Sequence, residues 1–412
     1  MNKVSKERLW RRMMELGQIG EQDSGGVTRF SFTEEERQAK NLVISYMKEA
    51  GLIVREDAAG NIIGRREGRD PLAPAVLTGS HIDTVPHGGK FDGALGVLAA
   101  IEALQRMNEL NIETVHPIEV IVFTDEEGAR FGFGMLGSRA LAGTLRPEHL
   151  DYTDDQNISI AEAMKGSGLD PDNIAEAAKR PEQVKAYVEL HIEQGTVLEG
   201  HNQPVGIVSG IAGPLWLKFT LTGQAGHAGA TPMNVRRDPM QAAAEIMGHI
   251  YREAKKYPNA VATVGKVTAL PGGINIIPGE VQFTLDLRDI DETVRDEMEN
   301  SIRSCAGQVC KEKAIDLHIS VLQRIAPTPC SPDIMDAVEN ACRKTGLGSI
   351  TLASGAGHDG MQLGSLCPVG MIFVRSRKGI SHSPEEWTSP EDCHAGAEVL
   401  YHTLLQLAAD KV

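Results

Sequence analysis

Residues 75–110 read AVLTGSHIDTVPHGGKFDGALGVLAAIEALQRMNEL. The stretch opens on AVLTGS, an apolar run ending in small residues, which predicts a buried strand. From Gly93 to Leu110 the apolar residues keep to one helical face, which predicts a helix. Runs of the strand type recur at 118–124 (IEVIVFT), 184–191 (VKAYVELH) and 368–375 (PVGMIFVR). Interior strands alternating with helical stretches imply an α/β fold with a mostly parallel sheet covered by helices. Ligands of such sheets sit beyond the carboxyl ends of the strands. His81, the pair Glu126–Glu127 and His191 all fall at such ends.

Between about 212 and 328 the pattern changes. LWLKFTLTG (215–223) alternates, with Leu215, Leu217, Phe219 and Leu221 on one face, and VQFTLDLRD (281–289) alternates with Val281, Phe283, Leu285 and Leu287. A helix (about 239–257) and a strand (about 260–270) lie between them; a charged helix (about 291–313) and a strand (316–323) follow. The order β-α-β-β-α-β is that of a ferredoxin-like, split-βαβ sandwich with one covered face. The expected organisation is therefore a first domain at 1–211 and 329–412, interrupted by a second at 212–328.

Composition narrows the function. At 412 residues the chain is long enough for two or three domains. It is 41% hydrophobic and 24% charged, as soluble globular proteins are, and holds no apolar run of membrane-spanning length. Lys and Arg total 41 against 56 Asp and Glu, a net charge of −15, and aromatics make up only 4%. An acidic surface poor in stacking rings argues against nucleic acid as a partner. The opening MNKVSKERLWRRMMELGQIG has no apolar core of a signal peptide and reads as an amphipathic helix, so the expected compartment is the cytoplasm. Six cysteines between Cys305 and Cys393 form no C-x-x-C pair and read as reduced, mostly buried thiols.

Four segments carry chemistry. GSHIDTVPHGGKFDGALG (79–96) sets His81 and Asp83 two apart and Asp92 in a glycine-rich loop before a helix. A histidine and a carboxylate there suit a divalent metal, and a second carboxylate can orient the histidine; a helix cap and a hydrogen-bonded loop histidine are the plainer alternative. FTDEEGARFG (123–132) places Glu126 and Glu127 where adjacent residues project oppositely, so that one can ligate while the other moves a proton. VELHIEQG (188–195) supplies His191, and GISHSPEEW (379–387) supplies His382. Three histidines with two or three carboxylates at sheet ends suffice for two metals sharing one carboxylate and activating a water.

The set GSHIDTV…FDG, FTDEEG, VELHIEQG, GHAGATPM, GGINIIPG…LDLRD, SGAGHD and GISHSPEE resembles the aminopeptidase-fold binuclear amidohydrolases, in the branch of allantoate amidohydrolase and N-carbamoyl-L-amino-acid hydrolase. The resemblance runs through nearly the whole chain in order. It implies an aminopeptidase-like catalytic domain split by a lid that forms a homodimer. It further implies two divalent metals per subunit (zinc or manganese, with cobalt or nickel also compatible) held by His81, Asp92, Glu127, His191 and His382. Asp92 would bridge, with His81 and His191 on one metal and Glu127 and His382 on the other. Glu126 would be the general base, and Asp83 would orient His81.

For the substrate, the resemblance implies that His227, in the loop GQAGHAGATPM, stabilises the oxyanion, and from the neighbouring subunit. It gives Asn275 and Arg288 the substrate carboxylate; the plainer reading of Arg288 is a surface pair with Asp286 or Asp289. Gln194 is a polar contact for a ureido group, and the loop SGAGHD lines the pocket through Gly357 and His358. The reaction implied is hydrolysis of the ureido C–N bond of a small carboxylate, releasing ammonia and carbon dioxide. HIDTV and SGAGHD put allantoate, an intermediate of purine nitrogen catabolism, first. GIAGPLWLKF and GMIFVRSRKGISHSPEEW point as much to an N-carbamoyl-L-amino acid, the alternative. A dipeptidase or aminoacylase, and a non-catalytic dimeric binding protein, are more distant readings.

Overall fold

A computed structural model describes residues 3–409 and divides into two compact units. The first comprises Met1–Gly210, Cys330–Leu352 and His358–Val412; the second comprises Ile211–Pro329 with the short segment Ala353–Gly357. Among the described residues no helix is long and apolar enough to cross a membrane.

The first unit is built on a sheet whose strands run in the order Ile53–Glu56, Ile62–Arg66, Ile118–Phe123, Ala75–His81, Val184–Ile192, Val369–Val374 and Val205–Ile211. The four from Ile118–Phe123 to Val369–Val374 are mutually parallel, while the flanking pairings are antiparallel. Three of those four are buried along their whole length, and Val184–Ile192 is buried at every residue but Lys185. That explains their continuous rather than alternating apolar character. Helix Ala94–Glu109 lies against Ala75–His81 and Val184–Ile192, with helix Pro390–Leu407 beside it. These helices and the first, Lys6–Leu16, close one core with Leu98, Leu104, Val188 and Leu400. Leu9, Met13 and Leu16 form the buried stripe of that first helix. A smaller core on the other face gathers Leu77, Ile121, Phe123, Tyr187 and Leu363. All four parallel strands present their carboxyl ends on the same side, and the loops leaving them carry the polar residues considered next.

The second unit is a four-stranded antiparallel sheet, ordered Asp316–Arg324, Gly213–Thr222, Glu280–Asp289 and Val261–Leu270. Leu215, Leu217, Phe219 and Leu221 pack with Val281, Phe283, Leu285 and Leu287 beneath helices Pro239–Ala254 and Glu292–Glu312. The period of two puts alternate residues such as Trp216, Lys218 and Thr284 on the opposite face. Asp238 and Asp291 cap the two helices by accepting backbone N–H groups. Residues 353–357 enter this unit by backbone bonding: the Ala212 N–H donates to the Ser354 carbonyl at 2.9 Å.

Phe219 and Phe283 stack at the centre of this small core, 4.6 Å between centroids and 8° apart in plane. Phe219→Ala is expected to lower the stability of this unit by about 3–5 kcal/mol, with Phe219→Leu costing clearly less. Urea unfolding checks both, and an unshifted transition for the alanine variant would show that the pair does not anchor the core.

Candidate metal centre and active site

Asp92 lies in the loop between strand Ala75–His81 and helix Ala94–Glu109, with its side chain almost wholly buried. Its two oxygens face different imidazoles. Oδ1 is 3.1 Å from His191 Nε2 and 3.8 Å from His81 Nε2; Oδ2 is 3.2 Å from His382 Nε2. Glu127 Oε1 lies 3.4 Å from the same His382 nitrogen. The candidate ligand atoms of His81, Asp92 and His191 all lie within 4.8 Å of one another, as do those of Asp92, Glu127 and His382. A third such group, His81, Glu126 and Glu127, links the two, so all five residues named as ligands from the sequence are gathered around one carboxylate.

The ring orientations follow from the other nitrogens. His81 Nδ1 is 3.0 Å from the Asp83 carbonyl, and His191 Nδ1 is 2.9 Å from the Ile192 carbonyl. Each Nδ1–H donates to backbone, which leaves both Nε2 atoms directed at Asp92. Gly93, at φ +63°, is required here: a Cβ at this position would stand 2.5 Å from the His81 ring.

The acidic pair departs from its expected setting. Strand Ile118–Phe123 ends before it, and Glu126 and Glu127 sit in a turn entered through Asp125, a buried residue at φ +55°. Asp83 holds that turn: its Oδ1 accepts the Glu126 N–H at 3.2 Å and its Oδ2 accepts the Glu127 N–H at 3.1 Å. The Asp83 carboxylate is 3.6 Å from His81 Nδ1, farther than the same residue's carbonyl. Asp83 thus touches His81 chiefly through its backbone, and its side chain fixes where the two glutamates point.

Two further site residues already have protein partners. Gln194 turns its amide to Asp92, with Nε2 2.9 Å from Oδ2, at a backbone φ of +56°. In the second unit, Arg288 makes the pair with Asp286 that its plainer reading names, and two of its five N–H donors remain for a carboxylate. Its Nε and Nη2 donate to Asp286, at 3.0 and 2.8 Å, and its Nη1 donates to the Gly355 carbonyl at 2.7 Å.

His227 and Asn275 are neighbours in that unit. His227 pairs with Ile276 across a two-stranded ribbon, and the Ala228 N–H donates to the Asn275 carbonyl. The exposed His227 ring accepts the N–H groups of Gly229 and Ala230 at Nδ1, at 3.1 and 3.2 Å. With Nδ1 taken up by these backbone donors, Nε2 is the ring nitrogen placed to donate. Gly357 ends the 353–357 segment, whereas His358 belongs to the first unit, its ring edge-on to His191 at 4.4 Å.

Several contributors escape the sequence reading. Arg29 is buried and donates to the carbonyls of Ile82, Leu16 and Ile19, pinning the residue between His81 and Asp83. Ser31 holds Asp125 at 2.7 Å. Glu189 accepts Ser80 and Tyr187 behind the site. Glu386 and Ser381 belong to the motif that supplies His382, and a motif names its residues without saying what they touch.

Electrostatically the cluster calls for cations. Burial pushes Glu126 well above the usual carboxylate range, against His81 and with Asp359 and Glu127; burial and Asp92 push Glu127 up to about 7. Burial works against ionisation of Asp92 as well, but hydrogen bonds from His191 and His382 hold it well below its ordinary value. Burial pushes the His358 ring well below, as does His191. The donors are imidazole nitrogens and carboxylate oxygens only; the six free cysteines form no part of any donor group among the described residues. This set fits borderline or hard divalent ions.

A sequence model of peptidase family M20/M25/M40 matches residues 77–406. An N-carbamoyl-L-amino acid amidohydrolase of Geobacillus stearothermophilus is 59% identical over 405 residues, 98% of this chain and 99% of that one. A probable allantoate deiminase of Oryza sativa subsp. japonica is 38% identical, over 97% of this chain and 88% of that one. The crystal structure of an amidase of the hydantoinase/carbamoylase family from Burkholderia multivorans superposes with a TM-score of 0.94 at 37% identity, covering 100% of this chain and 99% of that one.

A metal entering this cluster must displace protons. The hydrogen bond to Asp92 pushes His382 up to about 9, against burial and with Glu127 adding to the rise, so the ring carries a proton at neutral pH. Metal uptake is therefore expected to release protons, and affinity to weaken as pH falls from about 8 to about 6. Calorimetric titration of metal-free protein in two buffers of different protonation enthalpy measures this. Uptake without proton release would contradict a protonated His382.

Proposed function

We propose that this chain, which belongs to peptidase family M20/M25/M40, is an N-carbamoyl-L-amino-acid amidohydrolase that works with two divalent metal ions. It is a hydrolase of carbon–nitrogen bonds other than peptide bonds. The observation that carries the substrate is the full-length 59% identity to an enzyme of that name, against 38% for the allantoate relative. This reverses the order taken from HIDTV and SGAGHD. Those motifs lie in or beside the metal and carboxylate machinery, which both substrates need, and so they rank the two poorly.

His81 and His191 would hold one metal and Glu127 and His382 the other, with Asp92 between them. When bound, the metals would polarise the ureido carbonyl and ease deprotonation of a water. The chain's own groups do the rest. Glu126, buried but bonded to Asp83 only through its backbone, accepts the proton of the attacking water and passes it to the leaving nitrogen. Balanced, R–NH–CO–NH2 and water give R–NH2 and carbamic acid, which falls apart to ammonia and carbon dioxide. The Nε2–H of His227 donates to the carbonyl oxygen as negative charge develops there. Arg288 and Asn275 take the substrate carboxylate, while His358 and the 353–357 segment ending at Gly357 border the substrate.

Side-by-side rates on several N-carbamoyl-L-amino acids, allantoate, a dipeptide and a ureido compound lacking the carboxylate test the assignment. Carbamoyl amino acids should lead, and the neutral ureide should be poor. Faster turnover of allantoate would return the chain to that activity. Glu126→Gln should retain its metals while losing at least ~10²-fold in turnover, since it removes a base and no ligand. Metal loss in that variant, with Glu127→Gln keeping both ions, would mean that the two roles are exchanged.

The chain is further proposed to work as a homodimer in which His227 serves the partner's site. Coexpressing Glu126→Ala and His227→Ala chains then restores activity, because a mixed dimer carries one site with both defects and one with neither. With random pairing about a quarter of wild-type activity returns. A mixture that dimerises yet stays inactive rules out action across the dimer.

A further inference from the structure

The loops that carry Asp92 and His382 are far apart in sequence, and one buried carboxylate ties them together. Glu386 Oε1 accepts the backbone N–H groups of Phe91 and Asp92, at 2.9 and 3.1 Å. Its Oε2 is 2.6 Å from Ser381 Oγ, which in turn stands 3.1 Å from Asp92 Oδ2. Gln194 Nε2 completes the ring, 2.9 Å from Asp92 Oδ2 and 3.2 Å from Ser381 Oγ. The Glu386 carboxylate sits directly over Gly89, where a Cβ would come within 1.9 Å of Oε1. The second glycine of the pair before Lys90 is therefore the floor of this contact.

We propose that Glu386, acting with Ser381, is a positioning residue that sets the Asp92–Glu127–His382 half of the centre by locking the 379–387 segment onto the loop of Asp92. Three features support this. Glu386 is four residues from His382 on one segment, so anchoring it anchors the ring. The backbone of Asp92 is held by the same carboxylate, through a donor that metal binding leaves in place. Asp92 Oδ2 is met on its outer side by neutral groups, the Gln194 amide and the Ser381 hydroxyl, whose one proton is shared between Asp92 and Glu386, and these direct the carboxylate without competing as cations. His81 and His191 take their orientation from the Asp83 and Ile192 carbonyls instead. Loss of Glu386 therefore falls unequally on the two metal positions.

The inference rests on the two-metal reading, and stepwise metal binding to the metal-free protein separates the two claims. Wild type should take up two zinc or manganese ions in resolvable steps. Glu386→Ala is expected to weaken one step by about 10–100-fold and the other far less. Glu386→Gln, which keeps a carbonyl oxygen for the two backbone donors, should recover most of that loss. Ser381→Ala leaves Glu386 on the backbone and removes only the hydroxyl link; it should weaken the same step by a smaller factor, and it decides the matter should the Glu386→Ala chain fail to fold. Thermal melting of the metal-free variants accompanies each titration. Two unchanged steps in Glu386→Ala and Ser381→Ala, or equal weakening of both steps with a matching fall in metal-free melting, overturns the positioning role. A wild-type protein that takes up fewer than two ions overturns the two-metal reading itself, before any substitution is made.

Discussion

The carboxylate of Asp92 is held ionised in the interior, and much of the first unit's polar architecture answers the cost of keeping it there. An isolated buried charge is prohibitively expensive unless paired and hydrogen-bonded. Asp92 meets imidazoles on both oxygens, an amide and a hydroxyl on the outer side, and a second carboxylate bonded to its own backbone. These partners sit at the carboxyl ends of three neighbouring strands or in the loops beyond them: His81 on Ala75–His81, His191 and Gln194 on and after Val184–Ile192, and Ser381, His382 and Glu386 after Val369–Val374. Those loops reach a common point only because four parallel strands lie side by side in register. The continuous apolar runs that specify those strands are thus also what makes the centre geometrically attainable.

The same constraint explains why the second layer of residues is polar yet buried. Asp83 bonds the backbone of the acidic turn, Arg29 bonds the carbonyl of Ile82, and Ser31 bonds Asp125. Asp125 and Gln194 occupy left-handed backbone, unfavourable for residues other than glycine and held only where surroundings over-determine it. Asp125 stands next to Glu126 on the proposed proton path, and Gln194 itself faces Asp92. Backbone strain here converts a strand exit into a turn that can aim adjacent carboxylates differently.

Much of this was legible in the chain itself. Strands and helices with strong periodicity, such as 75–81, 94–109, 215–221 and 281–287, lie where their patterns place them, because burial on one or two faces leaves a plain mark on residue type. The ligand-type residues were legible as a set, through the motifs that carry the family resemblance, because each histidine or carboxylate alone reads as readily as a structural group. Less legible was whatever depends on a partner distant in sequence. Glu386 shares a motif with His382, yet its contacts lie nearly three hundred residues away in the loop of Asp92. Glu126 and Glu127 looked like the end of a strand because a left-handed Asp125 has no periodic signature. The segment 353–357 joins the second unit through backbone carbonyls, which any residue carries, so no side-chain pattern reveals it.

Substrate identity was hardest to read for a related physical reason. Allantoate and an N-carbamoyl amino acid both offer a ureido carbonyl beside a carboxylate, so the groups that process them can be the same. Arg288 illustrates the point. Asp286 occupies the Nε–Nη2 edge of the guanidinium and the Gly355 carbonyl accepts from Nη1, so the guanidinium plane is fixed before any substrate arrives. The pair is close to neutral as a whole. In the proposed function it selects a carboxylate by the direction of its remaining donors more than by net attraction. Such a clamp distinguishes acid from neutral ureide and says nothing about what else the α-carbon bears. That distinction falls to side chains in contact with the rest of the substrate. Apolar contacts of this kind discriminate by only about 1–3 kcal/mol for each methylene and tolerate many residue types. They leave no motif, which is why full-length similarity carries the choice that the motifs could not.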